Sequence, residues 1–142
     1  LLKLLVMGKQ VLILLILMMG SAIVVAQNHK IVYDLNSGDT ATQSKVLRQF
    51  GNILREAPDT ELEVVCHGFA VNMMVKGKAI YETQMKDLQG KAKVSFKVCA
   101  NSMKRLNIDK SQLISIAEVV PVAILELSSK QQQGWSYIWA GE

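Results

Sequence analysis

The chain has 142 residues, half of them apolar, with 16 basic residues against 12 acidic for a formal net charge of +4. That length supports one domain with a real core and is too short for two. No Lys/Arg cluster is interleaved with aromatics, which argues against nucleic-acid binding, and two cysteines do not make a disulfide scaffold.

Residues Val11 to Ala26 read VLILLILMMGSAIVVA, without a charge, after Lys3 and Lys9. A basic start, an apolar centre and a small-residue exit predict a secretory signal peptide over residues 1–26, cleaved after Ala26, with Met7 as the initiator. The alternative is a membrane anchor that stays attached, although the uncharged run is shorter than the about 20 residues a spanning helix requires. Either way a single domain, residues 27–142, is expected to be exported, in a periplasmic or other extracytoplasmic space. Without residues 1–26 the balance is 14 basic residues against 12 acidic, a net +2.

From Lys30 onward strand and helix patterns alternate, which predicts an α/β layered fold. Lys30–Leu35 is a short apolar strand ending in the turn Asn36-Ser37-Gly38-Asp39. Thr40 and Gln43 have capping-box spacing. Val46, Leu47, Phe50, Ile53 and Leu54 then follow at helical spacing until Pro58. Glu61–Cys66 is the second strand, ending at His67-Gly68. Ala70–Val75 suits one or two helical turns, and Ile80, Tyr81, Met85 and Leu88 an amphipathic helix closed by Gly90.

Lys93–Val98 is the third strand, followed by Cys99 and a helix ending near Asn107. Asp109 and Gln112 form a second capping pair, opening a short helix through Leu113, Ile114 and Ala117. Glu118–Val120 is a brief strand. Pro121 then stands at the first position of a helix and Gly134 just past its end. Trp135–Trp139 is the last strand.

Ligands of parallel α/β sheets bind at the carboxyl ends of the strands. Three polar turns would share that edge: Asn36 to Asp39, His67-Gly68, and Cys99 to Ser102. Cys99 stands where an apolar strand gives way to a helix, and a helix N-terminus can lower a thiol pKa from its free value near about 8.5. That placement points to a reactive thiol; the competing reading is a small buried residue.

These turns carry a family resemblance. The strand end VVCHG, the block VCANSMKRLNI and the terminal QQQGWSYI, in that order across residues 30–139, resemble the DsrE-like (DsrE/DsrF/DsrH) family of sulfur-relay proteins. The resemblance implies a three-layer α/β/α sandwich on a mostly parallel five-stranded sheet, assembled into a homo-oligomer, a trimer or hexamer. It also implies that the cysteine matched by Cys99 holds sulfane sulfur as a persulfide, a sulfurtransferase-type relay with no cofactor. Partners would be a sulfur donor or acceptor protein, or a small sulfane-sulfur species. An exported member would not reach tRNA, one destination of sulfur in the cytoplasmic relays.

Around Cys99 the candidate site residues are His67, with Asn36, Gly68, Asn101 and Ser102 lining a substrate pocket. His67 would polarise the thiol or move a proton, or would simply be a satisfied strand-end histidine. One His and one or two Cys are too few for a zinc site. Cys66 is read as a core residue of its strand; a disulfide with Cys99 requires both sulfurs on one side of the sheet. Asp39 is read as a helix cap, and Trp135, Tyr137 and Trp139 as packing or subunit-contact residues. No G-x-G-x-x-G, G-x-x-x-x-G-K-[ST] or G-x-S-x-G occurs, which argues against nucleotide binding and serine-hydrolase chemistry. Two alternatives stay open: a non-catalytic ligand-binding or assembly module, and a thiol redox protein cycling Cys66 and Cys99.

Overall fold

Five short runs rich in β-branched and apolar residues form parallel strands, ordered β4-β3-β2-β1-β5 in one sheet. They are β1 (Lys30–Leu35), β2 (Glu61–Cys66), β3 (Val94–Cys99), β4 (Ala117–Val120) and β5 (Ser136–Trp139). This computed structural model describes residues 28–141 together with Lys3; the remainder of the predicted signal segment lies outside the described residues. Among the described residues, no helix is long and apolar enough to cross a membrane.

Parallel neighbours are joined by crossovers, which in parallel sheets are right-handed as a rule. From β1 to β4 the chain steps across the sheet in one direction, so its helices collect on one face. They are α1 (Thr40–Glu56), a 3-10 helix at Gly68–Met74, α2 (Glu82–Lys91) and α3 (Ala100–Arg105). The β4-to-β5 connection returns across the whole width of the sheet. The same handedness therefore puts α4 (Ala123–Gln132) on the opposite face, against β1, β2 and β5. The sandwich has three unequal layers.

Strand alternation sorts the core accordingly. Under α1, α2 and α3 lies the larger cluster, with Tyr33, Leu35, Phe50, Val64, Cys66 and Phe96 among its buried members. Phe50 meets Tyr33 edge-on, ring centroids 5.1 Å apart. Under α4 lies a smaller cluster of Val32, Val65, Cys99, Val120, Ala123 and Leu127. Beside it the sheet carries charge. Glu63, fully buried, accepts from the Ser95 hydroxyl at 2.8 Å and pairs with Lys130 of α4 at 2.8 Å. Lys130 also lies 4.3 Å over the Trp135 ring. Lys97 pairs with Glu118 on the same face.

Several local expectations are corrected. Asp39 caps α1 as read, and the Thr40 capping box does not form: the Asp39 carboxylate accepts the Thr42 N–H at 2.8 Å and the Thr42 hydroxyl at 2.9 Å. Thr40 is the first helical residue, and the Gln43 side chain reaches the Ser37 carbonyl instead. Gly90 does not close its helix, which runs through Lys91 to Ala92 as C-cap. The Asp109–Gln112 capping box forms, yet opens only one 3-10 turn, Lys110–Gln112. Tertiary pairing takes over there: Leu113 bridges to Val75, and the Ile114 N–H donates to Met74. Pro121 precedes α4 by two residues, and Gly134 follows it at φ +84°.

Candidate functional site

The connection leaving β3 turns to α3 on one face, and the one leaving β4 turns to α4 on the other. A crevice opens at the carboxyl edge wherever neighbouring connections diverge in this way. Cys99, the last residue of β3, stands at that point, paired with Val120 of β4. It serves as N-cap of α3 with extended backbone, φ −73° and ψ 117°.

Donors converge on its sulfur from both sides. The Ala123 N–H, the first of α4, points at Cys99 Sγ over 3.4 Å. The Ser102 N–H and hydroxyl and the Asn101 N–H approach from α3. Burial, at 4% exposure, pushes the thiol pKa up, but the polar hydrogens of Ser102, Ala123 and Asn101 around it outweigh that and leave the thiol below its ordinary value. Ser102 is buried, and its oxygen accepts the Gly68 N–H at 2.9 Å. With that lone pair occupied, the hydroxyl proton is free to point at sulfur.

Cys66 is the opposite case. It sits in the larger core cluster with no compensating donor, and burial pushes its pKa up to about 12. Both cysteines are free. Cys66 pairs with Val98, so Cys99, one residue on, faces the other side of the sheet. A Cys66–Cys99 disulfide, and with it the redox-cycling alternative, does not fit this geometry.

His67 lies one step beyond the Cys66–Val98 pair, level with Cys99, and alternation turns both toward α4. Its hydrogen bond goes to an acid rather than to the thiol: His67 Nε2 is 2.6 Å from Asp34 Oδ1. The other carboxylate oxygen, Asp34 Oδ2, accepts the Tyr137 hydroxyl at 2.7 Å. Burial raises the Asp34 carboxyl, but the bonds from His67 and Tyr137 and the imidazole charge prevail and hold it below the usual range. The bond to Asp34, with burial, pushes the Tyr137 phenol up to about 12. Asp34 is therefore a carboxylate acceptor and His67 Nε2 carries a proton.

Asn36 and Asn101 are exposed, and what they offer the edge is backbone: the Asn36 carbonyl accepts the Ala70 N–H, and the Asn101 N–H helps to lower the Cys99 thiol. Gly68 has φ +54°, and a Cβ there would stand 3.1 Å from the Asn36 oxygen. That is a close approach suited to glycine. Asp34, Tyr137 and Ala123 are the site residues that sequence reasoning missed. An acid at an inward position of KIVYDL was the available signal. Among the described residues no three His, Cys, Asp or Glu side chains gather as metal ligands.

A family model described as the DsrE/DsrF-like family matches residues 29–140. A solved structure of a protein of unknown function, MTH1491 from Methanobacterium thermoautotrophicum, superposes with a TM-score of 0.73. It is 22% identical, and the match covers 78% of this chain and 98% of that one, a likeness of fold. A search of curated proteins found no match.

Proposed function

The chain belongs to the DsrE/DsrF-like family, which is linked to sulfur relay, and from that premise we propose that Cys99 carries sulfane sulfur as a persulfide. One observation supports this reading above the others: the thiol ends β3 as the N-cap of α3 and takes the first N–H of α4 on its sulfur. In the loading step the Cys99 thiolate attacks the outer sulfur of a donor R–S–SH. The new S–S bond forms as the donor's S–S bond breaks, and R–S⁻ leaves with the bonding pair. No external oxidant or reductant enters. The donor is a small sulfane-sulfur species or a partner protein.

Intact-mass measurement after incubation with polysulfide tests the reading. Wild type is expected to gain about 32 Da per sulfur, and Cys99→Ser to gain nothing while Cys66→Ser still loads. Absence of the adduct in wild type, or its survival in Cys99→Ser, overturns the proposal. Ser102→Ala is expected to slow alkylation by iodoacetamide at pH 7 by roughly three- to tenfold, as thiolate is lost.

A second reading, an assembly or small-ligand-binding module, is favoured by β5. All four of its residues are exposed, and Ile138 and Trp139 line a shallow hollow with Thr42 and Lys45 of α1. A homo-oligomer using this edge would scatter light as a trimer or hexamer, and Trp139→Lys would reduce it to monomer. The extracytoplasmic placement rests on the sequence of residues 1–26 alone, and N-terminal sequencing of the expressed protein decides between a cleaved and a retained segment.

A further inference from the structure

Tyr137 of β5, Asp34 of β1 and His67, which follows β2, form one hydrogen-bonded row, and extending the β2–β3 register by one residue sets His67 opposite Cys99. Register explains the row. Val32 pairs with Tyr137, so Asp34, two residues on, shares its face; His67 follows Cys66, the partner of Leu35. Each carboxylate oxygen of Asp34 is used, one at 2.6 Å and one at 2.7 Å, and Asp34 is only 7% exposed. A buried acid so completely satisfied holds its partner in one orientation and one protonation pattern.

We propose that Asp34 and Tyr137 are positioning residues that keep the proton of neutral His67 on Nε2, leaving Nδ1 as the base that takes a proton from an acceptor thiol when sulfur leaves Cys99. The proposal rests on the sulfur-carrier reading and supplies its second half. The acceptor R–SH gives its proton to His67 Nδ1, and its sulfur attacks the outer sulfur of Cys99–S–SH. The R–S–SH bond forms as the Cys99 Sγ–S bond breaks, and the bonding pair leaves on Cys99 Sγ. The products are R–S–SH, the Cys99 thiolate and the His67 imidazolium. The thiolate falls into the Ser102, Asn101 and Ala123 donors already around it. The imidazolium forms against a carboxylate that already faces it.

The titratable group bonded to His67 is Asp34 from β1, backed by Tyr137 from β5, and register sets Cys99 of β3 opposite. The charged groups of α4, Glu126 and Lys130, are turned to Glu63.

The test uses full-length protein preloaded with polysulfide and discharged by 2-mercaptoethanol between pH 5 and 9. In wild type the rate is expected to depend less steeply on pH than thiolate formation in the acceptor alone would dictate. In His67→Gln it falls on the order of 100-fold at pH 7 and climbs with unit slope toward the pKa of the thiol itself. Asp34→Asn is expected to lose about tenfold or more, with a displaced profile, because an amide can also donate and so release the tautomer. Tyr137→Phe loses roughly twofold. Nitrogen-15 shifts of His67 at pH 8 are expected to show Nδ1 unprotonated in wild type. A protonated Nδ1 overturns the assignment, and so does discharge by His67→Gln and Asp34→Asn at the wild-type rate and profile. Should Asp34→Asn not fold, Tyr137→Phe and the wild-type tautomer decide. A wild type that never gains sulfur overturns the carrier reading instead, a result distinct from loading without any variant effect.

Discussion

The face of the sheet under α1, α2 and α3 and the face under α4 are built from opposite kinds of side chain. On the first, β1, β2 and β3 present residues such as Tyr33, Leu35, Val64, Cys66 and Phe96, and no charge. On the second the same strands present Asp34, Glu63, Ser95, Lys97 and Cys99 among a few valines. A cysteine falls on each face, and the thiol is raised on one and lowered on the other. The difference teaches that this fold sorts its side chains by strand parity: one parity is wholly apolar and holds the molecule together, and the other gathers polar and titratable groups under a single helix.

Three perturbations would break or sharpen that division. The largest effect is expected for Phe50→Ala. Phe50 is fully buried against Tyr33, and the cavity should cost about 4 kcal/mol in denaturant unfolding while the alkylation rate of Cys99 stays as it was. Lys130→Met comes next. It strips a fully buried Glu63 of its cation and should cost about 3 kcal/mol, and the double variant Glu63→Leu/Lys130→Met should recover much of that loss. If the double variant is no better than the single, the charges on this face are not a matched set.

The smallest effect is expected for Glu126→Gln. Burial first, and then the Glu63 charge, raise the Glu126 carboxyl above its ordinary value, against Lys130 and Lys97. A raised folded-state pKa means that the stabilising protonated form is present below the unfolded value and is lost as pH rises through the folded one. The glutamine variant should therefore melt a degree or two above wild type near pH 7, by less than about 1 kcal/mol, and converge with it near pH 4. A constant offset across that range would sever the link to Glu63.

Strand and helix positions were largely legible because period-2 and period-3.6 patterns are local. Lys30–Leu35 and Glu61–Cys66 stand as read, and the third, fourth and fifth strands are displaced by one residue at most at either end. The parallel carboxyl edge that gathers Cys99, His67 and Gly68 followed from that alternation. Hydrogen-bond partners did not. Asp34 and Tyr137 are separated by 103 positions, and their pairing depends on β5 lying beside β1, which no local pattern encodes. The helix runs one residue past Gly90, and at the Asp109–Gln112 box, a sound terminus signal, the pairing of Leu113 with Val75 overrides local preference.

The first amide of α4 rests on the sulfur of Cys99, and seven residues further along the same helix presents Lys130 to the Trp135 indole. A cargo placed on that sulfur changes the acceptor at one end of a rigid rod whose other end abuts a fluorophore. Under the proposed carrier role, occupancy of Cys99 should thus be audible in tryptophan emission, an optical gauge of full against empty.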